Sequence, residues 1–262
     1  MTSQRKTYII ANWKMNFTPG QASLYLHRLS NRVQSSRNLQ IVLAPSTISL
    51  QPLSLQINRR QFKLCAQNFY WRDFGPYTGE TAISQLRGFV DYALVGHSER
   101  RYIFGETDKD IRAKVATAIR NDVTPILCIG ETALERKNGE TKSAITDQLL
   151  GGLHDVSDED LRKVIIAYEP VWAISSNKHA KPAKPADIAE AETLIRKQIA
   201  RLYGQTTADA IPILYGGSVN ASTAAGYLDI PGIDGLLIGD ASLVADSFCS
   251  IIESAKGIID ER

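Results

Sequence analysis

Glu169 stands directly after the run KVIIAY (163–168) and directly before Pro170, so a lone carboxylate closes an apolar stretch. Such a group is costly in an oily setting unless it is paired, hydrated or used, and a carboxylate so placed can act as a general base. Other polar residues occupy the same place after other apolar runs. Asn12 and Lys14 follow TYIIA (7–11), His97 and Glu99 follow YALVG (92–96), and Cys128 and Glu131 lie near the end of PILCIG (125–130). The last two runs end in GGS (216–218) and GDAS (239–242). Small-residue turns before helices expose backbone N–H groups at a positive helix end, which suits a phosphate. The set therefore contains a base, an acid or electrophile, a cation and an anion cradle.

Each residue also has a plainer reading. Lys14 can be a rim lysine, His97 a satisfied polar side chain, and Glu99 a partner of Arg100 or Arg101. The glycines can be tight turns and no more, Cys128 a small core hydrophobe, and Trp13, Trp71 and Trp172 packing residues. Those readings are independent of one another. One rim of chemistry accounts for all the run-end polar groups together.

The elements that must hold such a rim are legible from period. Eight short apolar runs recur: TYIIA, LQIVLA (39–44), FKLCA (62–66), YALVG, PILCIG, KVIIAY, PILYG (212–216) and GLLIG (235–239). Continuous apolar runs of this length predict strands buried on both faces, as in a parallel sheet. Amphipathic segments lie between them, clearest at 107–121, 185–203 and 241–256. The first of these opens with a capping Thr107 and acids in its first turn. Eight strands alternating with helices, with no linker or low-complexity break, predict one α/β domain over 1–262, a closed (β/α)8 barrel of parallel strands with outer helices. The rival, an open doubly wound sheet, would want a glycine-rich dinucleotide loop after the first strand, and ANWKMN contains no glycine. In a barrel, strand ends are where catalytic groups collect.

Bulk properties narrow the function classes. The 262 residues are 44% hydrophobic and 22% charged, with a net charge of +2 and a pI near 8.4. Lys and Arg are scattered among acids, so nucleic acid is not an expected partner. No apolar run approaches the ~20 residues that span a bilayer, so no membrane partner is expected. MTSQRKTYII meets Asn12, Lys14 and Asn16 before any signal-peptide core can form. The three cysteines, Cys65, Cys128 and Cys249, are too few and too far apart for a disulfide set or a metal spacing. A reducing cytoplasm is expected.

ANWKMN (11–16), VGHSERR (95–101), CIGET (128–132), AYEPVWAI (167–174), YGGSV (215–219) and GDASL (239–243), in this order, closely resemble the triosephosphate isomerase family. The likeness runs from residue 8 to about residue 252, nearly the whole chain. It implies a TIM barrel and an aldose–ketose isomerase without cofactor or metal, interconverting dihydroxyacetone phosphate and glyceraldehyde 3-phosphate. By motif match, Glu169 would be the base, His97 the electrophile, and Lys14 with Asn12 substrate-binding groups. Glu99 and Cys128 would stand behind the groups that touch substrate. Phosphate N–H donors would come from Ser175, Ser218, Gly239 and Asp240. The resemblance further implies a homodimer, with the loop GPYTGE from Gly75 to Glu80 carrying Thr78 toward the partner's site. The family is itself a standing example of a glutamate base, a neutral histidine and a closing loop, and those roles come with the resemblance.

Isomerisation by proton transfer passes through an enediolate that can lose its phosphate in water, so a lid is chemically required. A segment following Glu169 at once would serve as one, hinged at Pro170-Val171-Trp172 and at Lys178-His179-Ala180. Two departures from the family pattern bear on substrate range. Ser175-Ser176-Asn177 stands where the family has Gly-Thr-Gly, and Asp240 stands where it has a second glycine. A paralogue acting on a longer phosphorylated ketose, such as a tetrulose phosphate, is the alternative enzyme reading. A non-catalytic phosphate-binding barrel would be expected to lack Lys14, His97 or Glu169, and all three are present.

Overall fold

The computed structural model describes residues 5–174 and 181–261. The eight apolar runs are its eight strands: β1 (Thr7–Asn12), β2 (Leu39–Ala44), β3 (Phe62–Ala66), β4 (Tyr92–Val95), β5 (Thr124–Ile129), β6 (Ile165–Tyr168), β7 (Ile213–Tyr215) and β8 (Gly235–Ile238). Each pairs in parallel with its sequence neighbour, and β8 returns to β1 with Tyr8 opposite Gly235, which closes the barrel. The outer helices follow their caps. Thr107 and Asp110 exchange side-chain-to-backbone bonds at the start of Asp108–Arg120, and the Asp187 carboxylate accepts the Lys184 N–H at the start of Pro185–Tyr203.

Side chains of a strand alternate between faces, and here that sorts the core in two. Ile10, Val42, Ala44, Cys65, Leu94, Ile126, Cys128, Ile165, Ala167, Leu214 and Leu237 fill the barrel interior. The intervening residues, such as Ile9, Leu43, Leu127 and Ile166, pack outward beneath the helices. Extending the inward set by two residues past each strand gives Asn12, Ser46, Gln67, Gly96, Gly130, Glu169, Gly216 and Gly239 around the mouth. Two of these glycines leave room for Glu169, one for its side chain and one for its main chain. A Cβ on Gly216 would stand 2.8 Å from Glu169 Cγ, and one on Gly130 would stand 2.0 Å from the Glu169 carbonyl oxygen.

The segment after β8 departs from the expected helix over 241–256. Asp240–Ser242 is a single 3-10 turn, and the helix proper is Ala245–Glu261. The reason is local: the Ser242 N–H and hydroxyl both turn back onto the Gly239 carbonyl, at 2.9 and 2.6 Å, which closes a tight turn before a helix can begin. Among the described residues, no helix is long and apolar enough to cross a membrane.

Candidate active site

The barrel mouth brings Asn12, Lys14, His97, Glu99 and Glu169 together. Asn12, His97 and Glu169 are buried, whereas Lys14 and Glu99 are half-buried. Glu169 extends β6 by one inward step, and its main-chain N–H donates to the Ile129 carbonyl at 2.7 Å, which keeps it in register with β5. Both oxygens of its carboxylate are engaged. Oε1 lies 3.2 Å from His97 Nε2, and Oε2 accepts the Ser98 N–H at 3.3 Å. Cys128 sits inside the barrel, where burial and then the Glu169 charge push its thiol well above the ordinary range, so it remains a neutral packing group.

His97 caps the helix Ser98–Tyr102, and its Nδ1 accepts the Glu99 N–H at 3.3 Å. An acceptor nitrogen carries no proton, so the hydrogen of the ring lies on Nε2, pointed at Glu169. The Asn12 amide nitrogen is 3.4 Å from that same Nε2, while Asn12 Oδ1 accepts the Lys14 N–H at 3.1 Å. Lys14 has φ = +50°, a left-handed conformation unusual for a side chain of its length. Gln67 holds it there, its amide bridging the Lys14 carbonyl at 2.9 Å and the Ala44 carbonyl at 2.8 Å. The Lys14 ammonium then meets Glu99 Oε1 at 2.6 Å. Glu99 therefore pairs with Lys14; Arg100 binds Glu106 at 2.7 Å, and Arg101 binds Asp108 at 2.7 Å.

A cavity of about 450 Å³ opens over these groups, lined by Asn12, Lys14, Gln67, His97 and Glu99 with Met15 and Phe104 at its rim. It is within the size range of small-molecule sites. On the phosphate side, the Lys14 side chain runs past Gly239, with Cε 3.5 Å from where a Cβ there would lie. Asp240 is exposed and does not cap the later helix, which begins five residues on. The Ser218 N–H donates to the Ala173 carbonyl at 2.9 Å, so an anion could take that hydrogen only by replacing Ala173. Ser175, Ser176, Asn177 and the second hinge, Lys178 to Ala180, lie outside the described residues.

Sequence reading missed Gln67, Ser98 and the role of Glu131. Glu131 is fully buried, and its carboxylate accepts from the Tyr168 hydroxyl at 3.1 Å and from Trp172 Nε1 at 2.8 Å. Arg136 adds a contact at 3.4 Å, lies 4.3 Å over the Trp172 ring and binds Asp187 at 2.7 Å. The Val171 N–H donates to the Glu131 carbonyl at 3.0 Å. The residues just after Glu169 are thus moored to the end of β5. The available signal was Glu131 itself, an acid two residues past an apolar strand.

The family model for triosephosphate isomerase matches residues 7–255 of this chain. The triosephosphate isomerase of Caldanaerobacter subterraneus subsp. tengcongensis is 39% identical over 249 residues, covering 95% of this chain and 99% of the relative. That of Chloroherpeton thalassium is 39% identical over 254 residues, covering 96% and 100%. That of Streptococcus mutans serotype c is 37% identical over 253 residues, covering 96% and 99%.

Proposed function

The chain belongs to the triosephosphate isomerase family, and on that premise we propose that Glu169, His97 and Lys14 carry its reaction. The activity is the interconversion of dihydroxyacetone phosphate and D-glyceraldehyde 3-phosphate, a step of glycolysis. Glu169 removes the weakly acidic proton from the carbon beside the carbonyl, and the electron pair moves onto oxygen to give an enediolate. The same carboxylate returns a proton to the neighbouring carbon. His97 Nε2–H serves the two oxygens, between which the hydroxyl proton must pass, and Lys14 offsets the developing negative charge. The observation that carries these roles is the 3.2 Å approach of Glu169 Oε1 to His97 Nε2, with His97 and Lys14 both lining the cavity. In that position Glu169 is still bonded to the Ser98 N–H, so taking up substrate requires the carboxylate to leave Ser98.

Asn12 and Lys14 bind the substrate, and the backbone N–H groups of Ser175, Ser218, Gly239 and Asp240 hold its phosphate. Glu99 keeps Lys14 extended along the cavity wall. A coupled assay with both triose phosphates, together with deuterium uptake from solvent at the carbon-bound position, tests the reading. Folded protein that binds triose phosphate yet neither interconverts it nor exchanges that proton would overturn it.

The whole chain acts as one domain, and it works as a homodimer. The loop from Gly75 to Glu80 is exposed throughout, while Met15 at 95%, Ile103 at 72% and Phe104 at 68% exposure form an apolar margin around the cavity. Apolar margins of this kind mark protein contact surfaces. Thr78 of one copy would reach the cavity of the other, beside Lys14 and Glu99. A fully active monomer in analytical ultracentrifugation would contradict the dimer. The cysteines Cys65, Cys128 and Cys249 are buried and unbridged, which supports a reducing, cytoplasmic location.

A further inference from the structure

We infer that Tyr25 is a positioning residue for the phosphate end of the site, acting through Ser242 on the direction of the Asp240 N–H. The inference rests on the reading in which Gly239 and Asp240 hold the phosphate. Tyr25 lies on the inward face of the helix Pro19–Ser30 with Ala22, Leu26 and Leu29. Its ring meets Trp13 edge-on at 4.9 Å, and Trp13 is the residue between Asn12 and Lys14. Its hydroxyl crosses to the other loop and donates to the Ser242 carbonyl at 2.6 Å.

Ser242 is fully buried, and its N–H and hydroxyl both fasten the Gly239 carbonyl. A trans peptide is planar, with its C=O and N–H pointing in opposite directions. Holding the Gly239 carbonyl toward Ser242 therefore aims the Asp240 N–H the other way. Tyr25 joins the two walls of the phosphate end, the Asn12–Lys14 loop through Trp13 and the Gly239–Asp240 turn through Ser242. Packing alone does not require the hydroxyl. The neighbours of the ring are Trp13 and Phe17, and a phenylalanine would fill the same space. Burial, above all, raises the hydroxyl well beyond its ordinary range and keeps it a donor.

The test is Tyr25→Phe in the full chain, read by steady-state kinetics, by competitive inhibition with inorganic phosphate, and by thermal melting. One hydrogen bond of this kind is worth about 1 kcal/mol, close to fivefold in an equilibrium. The expected result is a KM and a phosphate inhibition constant that rise together, roughly three- to tenfold, with kcat changed less than about twofold. Ser242→Ala should move both constants in the same direction, and the double variant should fall short of the product of the two. A Tyr25→Phe protein that melts earlier but keeps its KM and its phosphate inhibition constant would overturn the inference and leave the hydroxyl a purely structural donor. Wild-type protein supplies the control on the underlying reading. If inorganic phosphate does not compete with triose phosphate there, the phosphate assignment itself is wrong. If it competes and Tyr25→Phe does not weaken it, only the role of Tyr25 is.

Discussion

His97 meets Glu169 through Nε2 alone, at 3.2 Å, because its Nδ1 is occupied by the Glu99 N–H. The base therefore faces a neutral N–H donor, and the distance between them is set by two strand ends, those of β4 and β6, rather than by flexible loops. Geometry of this kind tolerates little shortening. Glu169→Asp retracts the carboxylate by one methylene, and an error near 1 Å can cost ~100-fold. The expected outcome is a kcat lowered by about that factor with little change in substrate binding. An unchanged kcat would remove Glu169 from the mechanism.

Glu131 should matter to the fold and to the site alike. Glu131→Gln gives up the negative charge that accepts from Tyr168, Trp172 and Arg136, and the amide presents an N–H group where a donor already points. Leaving a buried donor without its acceptor costs about 1–3 kcal/mol. Urea titration should show a stability loss of that size, with a lower kcat because Trp172 is no longer moored. Full stability and full activity in this variant would show the cluster to be incidental.

Alkali should unfold the protein through its tyrosines. Tyr25, Tyr92, Tyr168 and Tyr215 are all held above their ordinary range by burial, helped at Tyr168 by the Glu131 charge. Their folded pKa values are raised, so the stability they contribute is complete below the unfolded value near 10 and is lost as pH rises past it. Each adds a slope of about 1.4 kcal/mol per pH unit in that window. Denaturant midpoints should fall steeply above pH ~10, with the tyrosinate absorbance of these four appearing only on unfolding, beyond that of exposed tyrosines such as Tyr102. Ionisation of these four buried tyrosines in the folded protein would contradict this.

Asp240 places a carboxylate beside the proposed phosphate site, and it is exposed. Two charges ~6 Å apart at an effective dielectric of ~20 would repel by roughly 3 kcal/mol, but water and salt around an exposed group leave about 1 kcal/mol or less. Asp240→Gly should therefore lower KM for glyceraldehyde 3-phosphate no more than several-fold, with kcat nearly constant. A gain of orders of magnitude would make Asp240 a device that discriminates against triose phosphates.

Buried Lys114 offers a stability test away from the chemistry. It pairs with Glu106 at 2.7 Å and donates to Asn68 at 2.7 Å, and Glu106 also binds Arg100. Breaking a buried pair costs about 3–5 kcal/mol because the other charge stays behind. Lys114→Met should lose that much in chemical denaturation, softened by Arg100. A loss below about 1 kcal/mol would mean that Arg100 alone satisfies Glu106.

The barrel and the identity of the rim were legible in the sequence because both depend on local order. An apolar run of four to six residues is a buried strand whatever it pairs with, and the first polar residues after it must stand at its end. That is why Asn12, His97 and Glu169 could be placed at one mouth from their spacing alone, and why the helix 185–203 was readable from Pro185 to Tyr203. The pairings at the mouth were not legible, since they depend on how the barrel closes. Glu99 had Arg100 and Arg101 beside it in the chain, yet it reaches Lys14, 85 residues away. The Tyr25 hydroxyl finds the Ser242 carbonyl across 217 residues, and Gln67 holds the backbone of Lys14 across 53. Periodicity is a property of neighbours in sequence. Hydrogen bonds and ion pairs across the barrel need the register of β8 on β1 and the closure of all eight strands, and only the tertiary structure decides those.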